Sequence, residues 1–137
     1  MAWKIDLAKA YNKLHWSFIK SVHVEIGIGE KFVELIMWCT TSVRYQVILN
    51  GELTEPFRPG YGIRQRDPLS PYIFVLCMEK LSHLISHKLL HGTWKSVRIS
   101  RGGPEVSHLF FADDLILFGQ VTTSQTEIME NCLDTFC

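Results

Sequence analysis

The stretch SHLFFADDLILFG, residues 107–119, decides how the fold is read. Two adjacent aspartates, Asp113 and Asp114, interrupt an apolar run. Leu109, Phe110, Phe111 and Ala112 precede them, and Leu115, Ile116, Leu117 and Phe118 follow. Carboxylates in such a run are costly to bury without a partner. The pattern reads as two strands back to back, 106–112 and 115–119, with Asp113 and Asp114 at the hairpin tip. There, water or a cation reaches both. Aspartate is a common turn residue, but two-residue hairpin turns favour a following glycine, and none follows here. Two like charges side by side repel unless a cation lies between them.

A third carboxylate extends the pattern. Asp6 lies at the end of a short strand, AWKIDL, between Ile5 and Leu7. If that strand pairs with the hairpin, three carboxylates converge. Oxygen-only donor sets suit magnesium, which keeps waters and binds substrate phosphates. Two such ions about 4 Å apart activate a 3′-hydroxyl and stabilise a leaving pyrophosphate. Short aspartate side chains hold the ions close to a rigid sheet.

Between these ends, the spacing predicts a helix from Ala8, with Ala10, Leu14 and Phe18 on one face, broken by Gly27-Ile28-Gly29. A second helix covers residues 30–40, with Phe32, Leu35, Ile36 and Cys39 on one face. SVRYQVILNGELTEPF, residues 42–57, reads as a hairpin around Asn50-Gly51, the dipeptide a type I′ turn prefers. RPGYGIRQRD, residues 58–67, is a loop. Ser70-Pro71 starts a helix to about residue 90, the serine capping and the proline at the first helical position. Its apolar face holds Phe74, Cys77, Met78, Leu81 and Ile85. A strand at 96–100, a turn at Arg101–Pro104, the hairpin and a last helix from about Ser124 complete the chain. The order implies an α+β fold, an antiparallel sheet backed by helices.

The length of 137 residues allows one ordinary domain with a core. No run is long and apolar enough to span a membrane. Charges within the first ten residues argue against a secretion signal, so an intracellular protein, nuclear or cytoplasmic, is expected. The four cysteines, Cys39, Cys77, Cys132 and Cys137, form no CxxC and read as reduced thiols. Net charge is zero but uneven. Arg58, Arg64 and Arg66 share one loop. Residues 80–104 hold basic side chains and three histidines with no acid, and residues 105–137 hold six acids with no lysine or arginine. A basic middle beside an acidic end fits a phosphate-contacting surface next to a metal site, and fits ordinary solvated faces equally.

Three blocks carry a resemblance. KIDLAKAYNKLHW, residues 4–16, resembles the first catalytic block of reverse transcriptases, in which an aromatic, here Tyr11, follows the aspartate. GIRQRDPLSPYIFVLCMEKLS, residues 62–82, resembles the second block. FADDLILF, residues 111–118, resembles the third, the aromatic-x-Asp-Asp box. The alanine version is typical of non-LTR (LINE-type) retrotransposons, especially those of plants. The resemblance runs from Met1 to about Gly119.

The resemblance implies the palm of a right-hand polymerase and an RNA-directed DNA polymerase activity. Asp6 and Asp113 would hold two magnesium ions (manganese is the alternative), with Asp114 beside them. Leu7 would lend its backbone to the triphosphate. Tyr11 would lie under the incoming sugar and reject a 2′-hydroxyl. Gln65 would line the nucleotide and template pocket. Arg64, Arg66 and Phe111 would meet nucleic acid, Phe111 near the primer end. The implied partners are an RNA template, a DNA primer and deoxynucleoside triphosphates, with no membrane.

The chain also departs from the pattern. Arg66 stands where the family usually has glycine, and is expected to crowd a tight pocket. Asn12 replaces an acid common after the aromatic. The chain reads as a partial palm, lacking the start of the fingers, the thumb and an endonuclease. An inactive fragment is therefore expected. The alternative is a catalytically dead retrotransposon remnant, at most a weak nucleic-acid-binding module.

Overall fold

A computed structural model describes residues 1–7, 10–111 and 114–136. Asp113, the first aspartate of the pair, lies outside the described residues. Along the chain come β1 (Ala2–Asp6), α1 (Ala10–Lys13), α2 (Trp16–Glu25), α3 (Glu30–Thr41), β2 (Ile48–Leu49), β3 (Glu52–Leu53), α4 (Ser70–Leu90), β4 (Val97–Arg98), β5 (Glu105–Val106), β6 (His108–Phe111), β7 (Asp114–Phe118) and α5 (Thr123–Phe136). Helices and small antiparallel sheets alternate, as the α+β reading expects. The chain forms two compact units, one of Met1–Ala8 with Cys77–Cys137 and one of Lys9–Leu76.

The first unit is built on a three-stranded antiparallel sheet ordered β1-β7-β6. Successive side chains alternate between faces, so the register sorts them. Ile5 faces Leu115 and Trp3 faces Leu117 across β1 and β7, while Phe110 faces Leu115 from β6. Leu115 and Leu117 are fully buried, each worth about 2 kcal/mol against exposure. Met129 and Cys132 of α5 are buried at helical spacing, as are Cys77, Met78, Leu81 and Ile85 of α4.

Trp94 is the largest side chain in this core, 2% exposed, and its indole N–H donates to the Phe118 carbonyl at 2.9 Å. Gln125, also buried, donates from Nε2 to the Thr93 carbonyl and accepts the Lys95 N–H on Oε1, both at 2.7 Å. One amide thus satisfies two backbone groups around Trp94. On the packed side of β6, His108 bridges Ser82 Oγ of α4 (Nε2, 3.0 Å) and Ser107 Oγ (Nδ1, 2.9 Å). Burial pushes the His108 imidazole below its ordinary pKa, and the charge of Glu79 opposes that shift.

The predicted strand 106–112 is in fact two. Val106 pairs back with Val97 in the β4–β5 hairpin, and only from His108 does the chain pair with β7. Ser107 is the switch point, and its carbonyl accepts the Phe118 N–H at 2.7 Å. The predicted tip also changes. Asp114 is the first residue of β7, paired with Phe111 on one side and Asp6 on the other, so it belongs to the ladder rather than the turn.

In the second unit, the single helix expected from Ala8 breaks into α1 and α2. The loop ahead of α4 takes the backbone groups that a continuous helix would need. Ile63 N–H donates to the Tyr11 carbonyl at 2.8 Å and Gly62 N–H to the Leu14 carbonyl at 2.7 Å. His15 is then extended, and Trp16 anchors the new start by donating Nε1–H to the Gly62 carbonyl at 2.8 Å. Gly62 has φ +88, and a Cβ there would meet the Asn12 carbonyl oxygen at 3.0 Å. No other residue fits that close approach without strain.

Ile19, Val22 and His23 of α2 are buried, as are Val33, Ile36 and Thr40 of α3. Of the apolar face expected for α3, Ile36 is buried. Phe32 and Leu35 are exposed, as is Cys39. The hairpin follows its sequence: Asn50 and Gly51 have φ of 53 and 89, the signs a type I′ turn needs. A Tyr45–Phe57 bridge extends it. At the start of α4, the Asp67 carboxylate accepts the Leu69 N–H at 2.8 Å and the Asp67 carbonyl accepts the Ser70 N–H. Asp67 thus forms the turn that leads into α4, and Ser70 is the first residue of the helix and buried.

Candidate functional site

The outer face of the β1-β7-β6 sheet carries the candidate site. Alternation puts Lys4 and Asp6 of β1 on this face, with Asp114 and Ile116 of β7 and Leu109 and Phe111 of β6. Leu115 and Leu117, fully buried, mark the opposite face as the inner one. Asp6 lies directly opposite Asp114, and Phe111 directly opposite Asp114 from the other side. Cβ atoms of directly opposed residues lie about 5 Å apart. The outermost row of the sheet is therefore Asp6, Asp114, Phe111.

Each member of that row is open to solvent in its own way. Asp6 is exposed at the end of its strand. Asp114 is half-buried and accepts an ion pair from Lys4, Nζ to Oδ1 3.2 Å. Phe111 is 82% exposed, an apolar ring with no core to enter. Leu7 follows Asp6 and is half-buried.

The donors suit the magnesium expected from the sequence. Two carboxylates on one face, open to water, form the oxygen-only set that a hard cation takes while keeping several of its waters. Among the described residues, no three His, Cys, Asp or Glu side chains gather as a metal site. The third donor expected from the sequence, Asp113, lies outside them.

Tyr11, Arg64, Gln65 and Arg66 belong to the other compact unit. There the structure joins Tyr11 to the loop of the second block through the Ile63–Tyr11 backbone bond. The Tyr11 ring stacks on Phe74 of α4, with centroids 4.7 Å apart and planes 14° from parallel. Stacked aromatic pairs add about 1 kcal/mol beyond burial, so this ring is held. Arg64 lies 3.9 Å from the Asp67 carboxylate, and Gln65 is exposed.

Arg66 is also exposed, so it crowds no pocket within its own unit. The consequence of this departure is in the backbone. Arg66 has φ 65, in the left-handed region that glycine adopts freely and other residues adopt at a cost of about 1–2 kcal/mol.

Two contributors were missed in the sequence. Lys4 shares a face with Asp6 by the period of two, a signal that was present but unused. Phe74 was assigned to the core, yet it also carries Tyr11.

Comparison with known proteins follows the same three blocks. The family model for reverse transcriptase (RNA-dependent DNA polymerase) matches residues 1–136. An uncharacterized mitochondrial protein of Arabidopsis thaliana is 45% identical over 67 residues, 49% of this chain and 55% of that protein. The Pol polyprotein of a type-2 retrotransposable element of Drosophila melanogaster is 27% identical over 132 residues, covering 95% of this chain and 12% of the polyprotein. That of a type-1 retrotransposable element of Popillia japonica is 24% identical over 113 residues, covering 82% and 18%. The chain thus spans about half of one relative and less than a fifth of the other two. With a family match running from the first strand to the last helix, the chain belongs to the reverse transcriptase (RNA-dependent DNA polymerase) family.

Proposed function

We propose that the chain is the palm portion of a non-LTR retrotransposon reverse transcriptase and supplies its catalytic carboxylates. The observation that carries this reading is the Asp6–Asp114 cross-strand pair on an open sheet face, with Phe111 beside it. In this reading Asp6 and Asp113 hold two magnesium ions and Asp114 supports them. The ions, when bound, favour the 3′-alkoxide of the primer and stabilise the leaving pyrophosphate. The chain's own residues position the reactants. The sheet fixes the carboxylates, Leu7 offers its backbone to the triphosphate, and Phe111 presents an apolar ring to the primer end. Tyr11, braced by Phe74, excludes the 2′-hydroxyl. Gln65, Arg64 and Arg66 meet the template and nucleotide. The partners are an RNA template, a DNA primer and deoxynucleoside triphosphates.

The test exchanges residues 1–119 into a complete non-LTR polymerase in place of its own segment. Primer extension is followed on a homopolymer RNA template with magnesium or manganese. Incorporation that is lost on Asp113→Ala supports the reading. No incorporation, even with Arg66→Gly, overturns it.

A second reading, a catalytically dead remnant that retains weak nucleic-acid binding, is favoured by Arg66 at a left-handed backbone position. It predicts failure of the exchanged segment and RNA binding that falls steeply with salt. Salt-insensitive or absent binding overturns it.

A further inference from the structure

The outer face of the sheet pairs two carboxylates and also supplies a cation. Asp6 and Asp114 are directly opposed, and like charges so placed are destabilising. Lys4, on the same face as Asp6, reaches diagonally to Asp114 and places its ammonium 3.2 Å from Oδ1. We propose that Lys4 is a positioning residue that stands in for a divalent cation. It holds Asp114 when no metal is bound, and it competes with the metal for that carboxylate. The proposal rests on the metal-site reading above.

The charges follow from the register. Lys4 leaves the described face with one net negative charge, where Asp6 and Asp114 alone would carry two. A divalent cation approaching Asp114 must displace the ammonium or sit beside it. Both ends of the pair are solvent-accessible, with side chains 67% and 43% exposed, so the contact is weak and exchangeable rather than a locked bridge. Lys4 thereby keeps the carboxylates in position at a small cost in metal affinity.

The experiment measures Mn2+ binding to the chain by titration calorimetry and electron paramagnetic resonance, with no nucleic acid present. Wild type, Lys4→Met, Lys4→Gln, Lys4→Arg and Asp6→Asn are compared. Removing a unit positive charge a few ångströms from a divalent ion near the surface is expected to tighten binding about five-fold. Both neutral variants should show this, Lys4→Arg should match wild type, and Asp6→Asn should lose binding. The rise in melting temperature on adding Mn2+ should also be larger for the neutral variants.

If wild type binds through Asp6 but the neutral variants bind equally or more weakly, the role of Lys4 is overturned and the metal site stands. If none of the Lys4 variants nor wild type binds, the metal site fails and the role falls with it. Binding by the neutral variants alone supports the role in its strongest form.

Discussion

Gly62 and Arg66 lie on the same loop ahead of α4 and both hold positive φ, +88 and +65, but only one of them lacks a Cβ. The loop therefore contains one left-handed position met by glycine and one met at a cost.

Arg66→Gly should stabilise the chain. Relief of left-handed strain is worth about 1–2 kcal/mol, and the added freedom of glycine in the unfolded chain returns about half of it. A net gain of roughly 0.5–1 kcal/mol, read as a rise of about 3 °C in melting temperature, is expected. Arg66→Ala keeps the strain and should show no such rise.

Gly62→Ala should do the opposite. The methyl group meets the Asn12 backbone, and φ stays left-handed. A loss of about 2 kcal/mol or more is expected in urea unfolding. If the midpoint does not move, the loop is not tied to Tyr11 and Leu14 as described.

Acid should weaken the first unit through His108. Its folded pKa is depressed by burial, so the unfolded chain takes up a proton first as pH falls. Stability is complete above the ordinary histidine value of about 6.5 and declines below it toward the folded value. His108→Gln should flatten this decline in denaturant melts between about pH 7 and pH 5.5. An unchanged slope would count against the buried imidazole as its source.

Thiol chemistry should separate the cysteines. Burial pushes the Cys77 thiol up to about 12 and raises Cys132, while Cys39 is exposed. With Cys137→Ser as background, an aromatic disulfide reagent at neutral pH should label Cys39 quickly. Cys77 and Cys132 should react only on unfolding, because the thiolate is the nucleophile. Fast labelling of Cys77 in the native chain would contradict its burial.

Local patterns in the sequence were readable where the chain decides its own conformation. The Asn50-Gly51 turn, the apolar face of α4 and the strand ending in Asp6 all follow from spacing and turn chemistry. The α1–α2 break did not, because its cause is the distant backbone of Ile63 and Gly62. The buried side of α3 did not follow either, because its apolar arc is wider than the strip that is buried: Val33 and Ile36 are buried while Phe32 and Leu35 are exposed. Trp38, on that helix, is 67% exposed, whereas Trp94 is buried. The place of Asp114 was missed by a single residue at the strand boundary, and only pairing with β1 and β6 fixes that boundary. Of the candidate site, the convergence of the Asp6 strand on the Asp114 strand was legible. The ion pair from Lys4 and the brace from Phe74 needed the register and the packing.

The β7 register couples what the sheet shows to what it hides. Side chains on a strand alternate, so a slip by one residue would turn Asp114 inward and Leu115 and Leu117 outward. The energy that buries those two leucines therefore also guards the outward carboxylate against misplacement. A descendant that accumulates changes elsewhere keeps Asp114 facing Asp6 for as long as it keeps a folded core, whether or not any selection for nucleotide transfer remains.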